Sequence, residues 1–138
     1  MSPTQHVYGG WPRSGEIDIF ELIGQYPNRV VGTAHWGSPP EKIGAYGYNN
    51  TITTGYNVYA IEWEPGEIRW YLNGALYHRS TPADGWYAPG TNNPNAPFDQ
   101  DFYIKLNLAV GGFWPGTPDA STPFPAEMRI DYVRVYQR

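Results

Sequence analysis

Three carboxylates fall within eight otherwise apolar residues, Gly15-Glu16-Ile17-Asp18-Ile19-Phe20-Glu21-Leu22. An extended chain shows alternate side chains to one face, so Glu16 and Asp18 share a face and Ile17 and Ile19 share the other. Strict alternation would send Glu21 to the apolar face. One extra residue near Ile19-Phe20, a β-bulge, brings Glu21 back beside the other two acids, and bulges recur next to active sites. Carboxylates in such a row raise one another's pKa, so that one holds a proton near neutral pH while another is ionised. One protonated acid and one ionised carboxylate are what retaining glycoside hydrolysis requires. The plainer alternative is the polar outer face of an edge strand. The apolar residues around the acids argue instead for a well-buried strand, where idle charges are costly.

Further residues could serve the same chemistry. His35, with Trp36 beside it, lies one strand away and could hydrogen-bond an acid or a sugar hydroxyl; otherwise it is a surface strand histidine. Trp11, just before the acids, could stack on a sugar ring or fill a core. Trp114, in Gly111-Gly112-Phe113-Trp114-Pro115-Gly116, sits on a loop, where ligand contact is favoured. Arg13 could donate to a hydroxyl, or be an ordinary surface arginine. Asn107 is a polar residue inside an apolar run; a buried amide needs partners, so it could face a cleft or satisfy backbone groups. His6 and His78 have no evident partner and read as solvated.

The elements that must position these groups read as all-β. The chain has 138 residues, 41% hydrophobic and 17% aromatic, enough for one domain with a packed core. Sixteen Gly and fourteen Pro punctuate short strand-like runs, and no window sustains a helical period. The net charge is −4, and no basic patch suggests nucleic acid binding, so nucleic acid is not expected as a partner. No apolar run is long enough for a membrane-spanning helix, and without cysteine there is no disulfide framework or thiolate metal site. Met1-Ser2-Pro3-Thr4 does not read as a signal peptide, since no apolar stretch follows. Strands are expected at 16–22, 29–36, 56–64, 67–72, 75–79, 102–110 and 128–136. Residues 37–51, 81–100 and 111–125 are read as long loops, and Asn73-Gly74 is the strongest hairpin signal. Such a series suggests a two-sheet sandwich.

The order Glu16-x-Asp18-x-x-Glu21, preceded by Trp11-Pro12-Arg13-Ser14-Gly15, closely resembles the signature of the family 16 glycoside hydrolases, and more narrowly the laminarinase branch, the endo-β-1,3-glucanases. Phe20 sides the chain with the bulged form of the motif. Val31-Gly32-Thr33-Ala34-His35, Tyr59-Ala60-Ile61-Glu62-Trp63, Trp70-Tyr71-Leu72-Asn73-Gly74, Pro97-Phe98-Asp99-Gln100, Leu106-Asn107-Leu108-Ala109-Val110-Gly111-Gly112 and Ile130-Asp131-Tyr132-Val133-Arg134-Val135-Tyr136 also resemble laminarinase segments, in the family's order.

The resemblance implies a concanavalin-like β-jelly-roll sandwich with a glucan on its concave face. It implies Glu16 as nucleophile, Asp18 as helper and Glu21 as acid/base, no required cofactor, an extracellular location and β-glucan as the partner. It also offers Asp131 as a candidate ligand of a structural calcium. All-β sandwiches commonly need about 200–250 residues, and family members carry roughly half a domain before the signature. Residues 1–138 therefore read as the C-terminal portion of a catalytic domain, with unpaired strand edges that invite self-association. The alternatives are a non-catalytic β-glucan-binding protein, or an inactive fragment of the enzyme.

Overall fold

The structure is a computed structural model that describes residues 5–38, 41–52 and 54–137; the side chains of residues 5–6 and 41–46 are left aside. Met1-Ser2-Pro3-Thr4, Pro39-Pro40 and the side chain of His6 thus lie outside what is described. Among the described residues, six strands form two antiparallel sheets. Sheet A has the order β1-β2-β3, with β1 Glu16–Glu21, β2 Val30–Ser38 and β3 Glu41–Asn49; sheet B has the order β4-β5-β6, with β4 Tyr59–Glu64, β5 Glu67–Leu72 and β6 Ala75–Ser80. The only helical pieces among the described residues are one turn at Gln5–Tyr8 and a 3₁₀ turn at Pro82–Asp84. The fold is all-β, of the jelly-roll kind that the sequence suggests.

Local chemistry explains the turns. Asn73 (φ 51°) and Gly74 (φ 81°) are both left-handed, as a two-residue type I′ hairpin requires, and they join β5 to β6. Pro65-Gly66 joins β4 to β5, with Gly66 at φ 84°. Alternation along β5 buries Ile68, Trp70 and Leu72 and leaves Glu67, Arg69 and Tyr71 on the other side. There Arg69 gathers Glu62, Glu64 and Glu67 into a surface ion-pair network.

The core of the first compact unit, Met1–Ile104, lies between the sheets: Ala34 and Trp36 of β2, Ile68 and Trp70 of β5, and Trp86 and Phe98 from the following loop. Ile17, Ile61, Tyr77 and Phe102 pack against it. Gly32 and Gly47 stand opposite each other across β2 and β3 and leave a strip without side chains on the inner face of sheet A. Trp70, Tyr77 and His78 fill that strip. A Cβ on Gly32 would lie 2.7 Å from the Tyr77 hydroxyl, and one on Gly47 would lie 2.5 Å from Cβ of His78. A slip in the β5–β6 register between Trp70 and Tyr71 lets Tyr77 and His78 both reach inward.

Four expectations are corrected. The segment 41–49 is a strand, not a loop; its glycines weaken the sequence signal, yet Gly47 is needed where His78 approaches. His78 is half-buried, its ring 4.7 Å from that of Trp70, and is not solvated. β1 is an edge strand of sheet A whose six residues are all half-buried, not a well-buried one. Residues 102–110 and 128–136 have strand-like alternation but join no ladder among the described residues. A strand needs a partner as well as a pattern.

The second compact unit, Lys105–Arg138, is largely exposed. Its regular features are a Gly112–Gly116 bridge, hydrogen-bonded in both directions at 3.1 and 2.9 Å, and an Asp119 carboxylate that accepts from the Ser121 amide and hydroxyl.

Candidate active site

Gly15 delivers the chain into β1. It is left-handed (φ 75°), and a Cβ there would lie 2.9 Å from Pro97, so this corner takes only glycine without displacement. From it, β1 runs antiparallel to β2 with Glu16 opposite His35 and Asp18 opposite Thr33; then the register slips, and Glu21 stands opposite Val31. Three residues of β1 are spent against two of β2, which is the bulge expected at Ile19-Phe20. Directly opposed residues share a face, so Glu16, Asp18 and Glu21 project on the same side as Val31, Thr33 and His35. Ile17, opposite Ala34, points to the core.

The groups on that face are coupled. His35 Nε2 lies 2.9 Å from Asp18 Oδ2, and the Thr33 hydroxyl donates to Glu21 Oε2 at 3.2 Å. One side-chain donor atom from each of Asp18, Glu21 and His35 falls within 4.8 Å of the others, close enough to share a proton or a cation. Burial raises the Glu21 pKa and the charge of Asp18 raises it further; Thr33 and His35 pull it down, Glu16 pushes it up, and the net direction is upward. Burial alone would lower the pKa of His35. The hydrogen bond that His35 donates to the Asp18 carboxylate, with the charges of Asp18, Glu16 and Glu21, outweighs it, so the imidazole holds its proton above the ordinary range. One carboxyl biased toward the protonated form beside others on a shared face is an acid–base arrangement.

Other sequence candidates fall differently. The Trp11 ring is 39% exposed and tilted against His35 with centroids 6.2 Å apart, so it borders the acid face. Arg13 folds back over Gly9, its Cδ 3.2 Å from where a Gly9 Cβ would sit, and its Nε is buried without a hydrogen-bond partner among the described residues. Asn107, Trp114 and Asp131 belong to the second unit and are exposed. For Asn107 this corrects the expectation of a buried amide, because the segment that carries it joins no sheet. Asp131 joins no group of three side-chain ligands among the described residues.

The sequence reading missed two residues. Thr33 shares a strand face with His35 two positions on, so alternation alone could have found it. Trp70, whose indole N–H donates to the Asp18 carbonyl at 2.9 Å, lies 52 residues away and gave no local signal.

Comparison with known proteins identifies the family. Residues 4–134 match the family described as "Glycosyl hydrolases family 16". The chain is 43% identical to "Glucan endo-1,3-beta-glucosidase A1" of Niallia circulans over 99% of its own length and 21% of that protein's. It is 41% identical to "Beta-glucanase" of Rhodothermus marinus, covering 99% of this chain and 50% of the relative. It superposes on the X-ray structure of an endo-β-1,3-glucanase from Pyrococcus furiosus with a TM-score of 0.68 and 39% identity, over 90% of this chain and 48% of that one. The chain thus spans half or less of the length of these relatives. A match over nearly every residue, on a fold with three acids aligned across a bulge, places this chain in family 16 of the glycosyl hydrolases.

Proposed function

We propose that this chain carries the catalytic carboxylates of a retaining endo-β-1,3-glucanase acting on laminarin-type glucan. The observation that carries the reading is the bulge, which turns Glu21 onto the face of Glu16 and Asp18 while burial and neighbouring charge favour its protonated form. In the first step the Glu16 carboxylate attacks the anomeric carbon as Glu21 gives its proton to the departing glycosidic oxygen. The C–O bond breaks and a glycosyl ester forms on Glu16. In the second step Glu21, now ionised, takes a proton from water; the hydroxide equivalent displaces Glu16 and restores the original configuration. Asp18, bonded to His35, holds negative charge beside Glu21 and so favours the proton there. Trp11 borders the acids as a stacking surface for a sugar ring. The names of the relatives above support β-glucan as the substrate, and extracellular action is part of the same proposal. The chemistry uses carboxylates and water alone, so chelation of calcium is expected to leave it unchanged.

The test is hydrolysis of laminarin followed by reducing ends, with the anomeric configuration of the first product read by proton NMR. Glu16→Gln is expected to lose activity on the order of 10⁴-fold or more while still binding insoluble β-glucan. Undiminished turnover in that variant, or an inverted first product, overturns the mechanism. A chain that binds glucan and never hydrolyses it supports the non-catalytic alternative.

A further inference from the structure

We infer that Trp70 is a positioning residue that fixes where the β1 bulge forms and hence where Glu21 points, an inference that rests on the acid/base role proposed above. Trp70 lies on β5, in the opposite sheet, and is fully buried. Its indole N–H crosses the core to the carbonyl of Asp18 at 2.9 Å. Asp18 is the last residue of β1 paired in register before the slip that ends at Glu21.

Two further contacts belong to the same device. The indole lies over Gly32 of β2, where a Cβ would sit 2.8 Å from Trp70 Cγ and closer still to Cδ1; a side chain there would push the indole away. Phe20, inside the bulge, stacks on Tyr59 of β4 with centroids 4.5 Å apart and planes at 21°. Sheet B thus holds the bulge at its first carbonyl and at its aromatic side chain.

A bulge is a local choice. The extra residue can be accommodated one position earlier or later with most of the ladder retained, but each choice turns a different acid outward. A single directed donor at the Asp18 carbonyl distinguishes the positions, because a buried carbonyl that loses its partner is costly. Trp70 is fully buried in the core, away from the acid face. Its effect runs through the backbone of Asp18 to the aim of Glu21.

The experiment replaces Trp70 with 3-benzothienylalanine, which keeps the ring shape and substitutes sulfur for the N–H, alongside Trp70→Phe. Backbone amide exchange is measured across sheets A and B, and the variant's crystal structure is determined. We expect exchange at Ile19, Phe20 and Glu21 to speed by about fivefold or more, the worth of one hydrogen bond, while β4–β6 amides keep their protection. The Glu21 carboxyl is expected to leave the Thr33 hydroxyl. On laminarin, kcat should fall about tenfold or more with KM little changed, as for an interaction felt in the transition state. Equal loosening of both sheets would make Trp70 an ordinary core residue and overturn the inference, as would unchanged exchange at 19–21 or an unmoved Glu21. Trp70→Phe can fail to fold without affecting this reading, since the benzothienyl variant preserves the packing. If the unaltered chain does not hydrolyse laminarin, the proposed function fails, yet exchange and the Glu21–Thr33 contact still decide the role of Trp70.

Discussion

At the scale of single residues, Glu21 and His35 carry the same sign into the pH dependence but act over different pH ranges. Glu21 binds its proton more tightly in the fold than in the unfolded chain, so stability falls as pH rises from the unfolded value, roughly 4.3, through the folded one. Glu21→Gln removes that penalty. Its melting temperature should exceed that of the unaltered protein at neutral pH, with the gap closing in acid; calorimetry across pH checks this. His35 also holds its proton more tightly when folded, and its bond to Asp18 contributes stability below the unfolded value, about 6.5, that is lost as pH rises through the folded value. His35→Gln should therefore cost on the order of 1 kcal/mol in the acid range and little in the alkaline range. The imidazolium also lowers the Glu21 pKa. Removing it should shift the alkaline limb of kcat/KM to higher pH, and a limb that stays put or moves down would show that Glu21 does not set it.

At the scale of elements, the sheets approach through the glycine strip of β2 and β3. Gly32→Ala places a methyl group against the Trp70 ring and the Tyr77 hydroxyl. Overpacking of this kind costs typically about 1–3 kcal/mol, and denaturant unfolding should show a loss in that range. A neutral substitution would mean that the sheets separate easily here. Tyr77 belongs to the same packing: its hydroxyl is buried without a hydrogen-bond partner among the described residues, and burial pushes its pKa up to about 12. The bulge in β1 and the slip in β6 are both read from long-range pairing; of the two, only the β1 bulge had a sequence cue, the misplaced third acid.

At the scale of the whole molecule, large apolar side chains stand exposed along the C-terminal stretch, among them Leu106, Leu108, Val110, Val133 and Val135. Strand edges and apolar rows of this kind promote association. Sedimentation velocity should show an average mass that rises with protein concentration. A single monomeric species at every concentration would mean that these side chains are tolerated in water. No helix among the described residues is long and apolar enough to cross a membrane.

The acid row, the need for a bulge, the hairpin at Asn73-Gly74 and the all-β class were legible in the sequence because each depends on neighbours: alternation, a broken alternation, a turn dipeptide. The family resemblance added roles to those residues without fixing their geometry. Only the tertiary structure decided that 41–49 pairs with β2, that His78 turns inward, that residues 102–110 and 128–136 join no ladder among the described residues, and that an indole from the other sheet meets the Asp18 carbonyl. The physical reason is common to all four. Pairing, burial and inter-sheet hydrogen bonds depend on residues far away in the chain, and a local pattern says which face a side chain takes but not what stands opposite it.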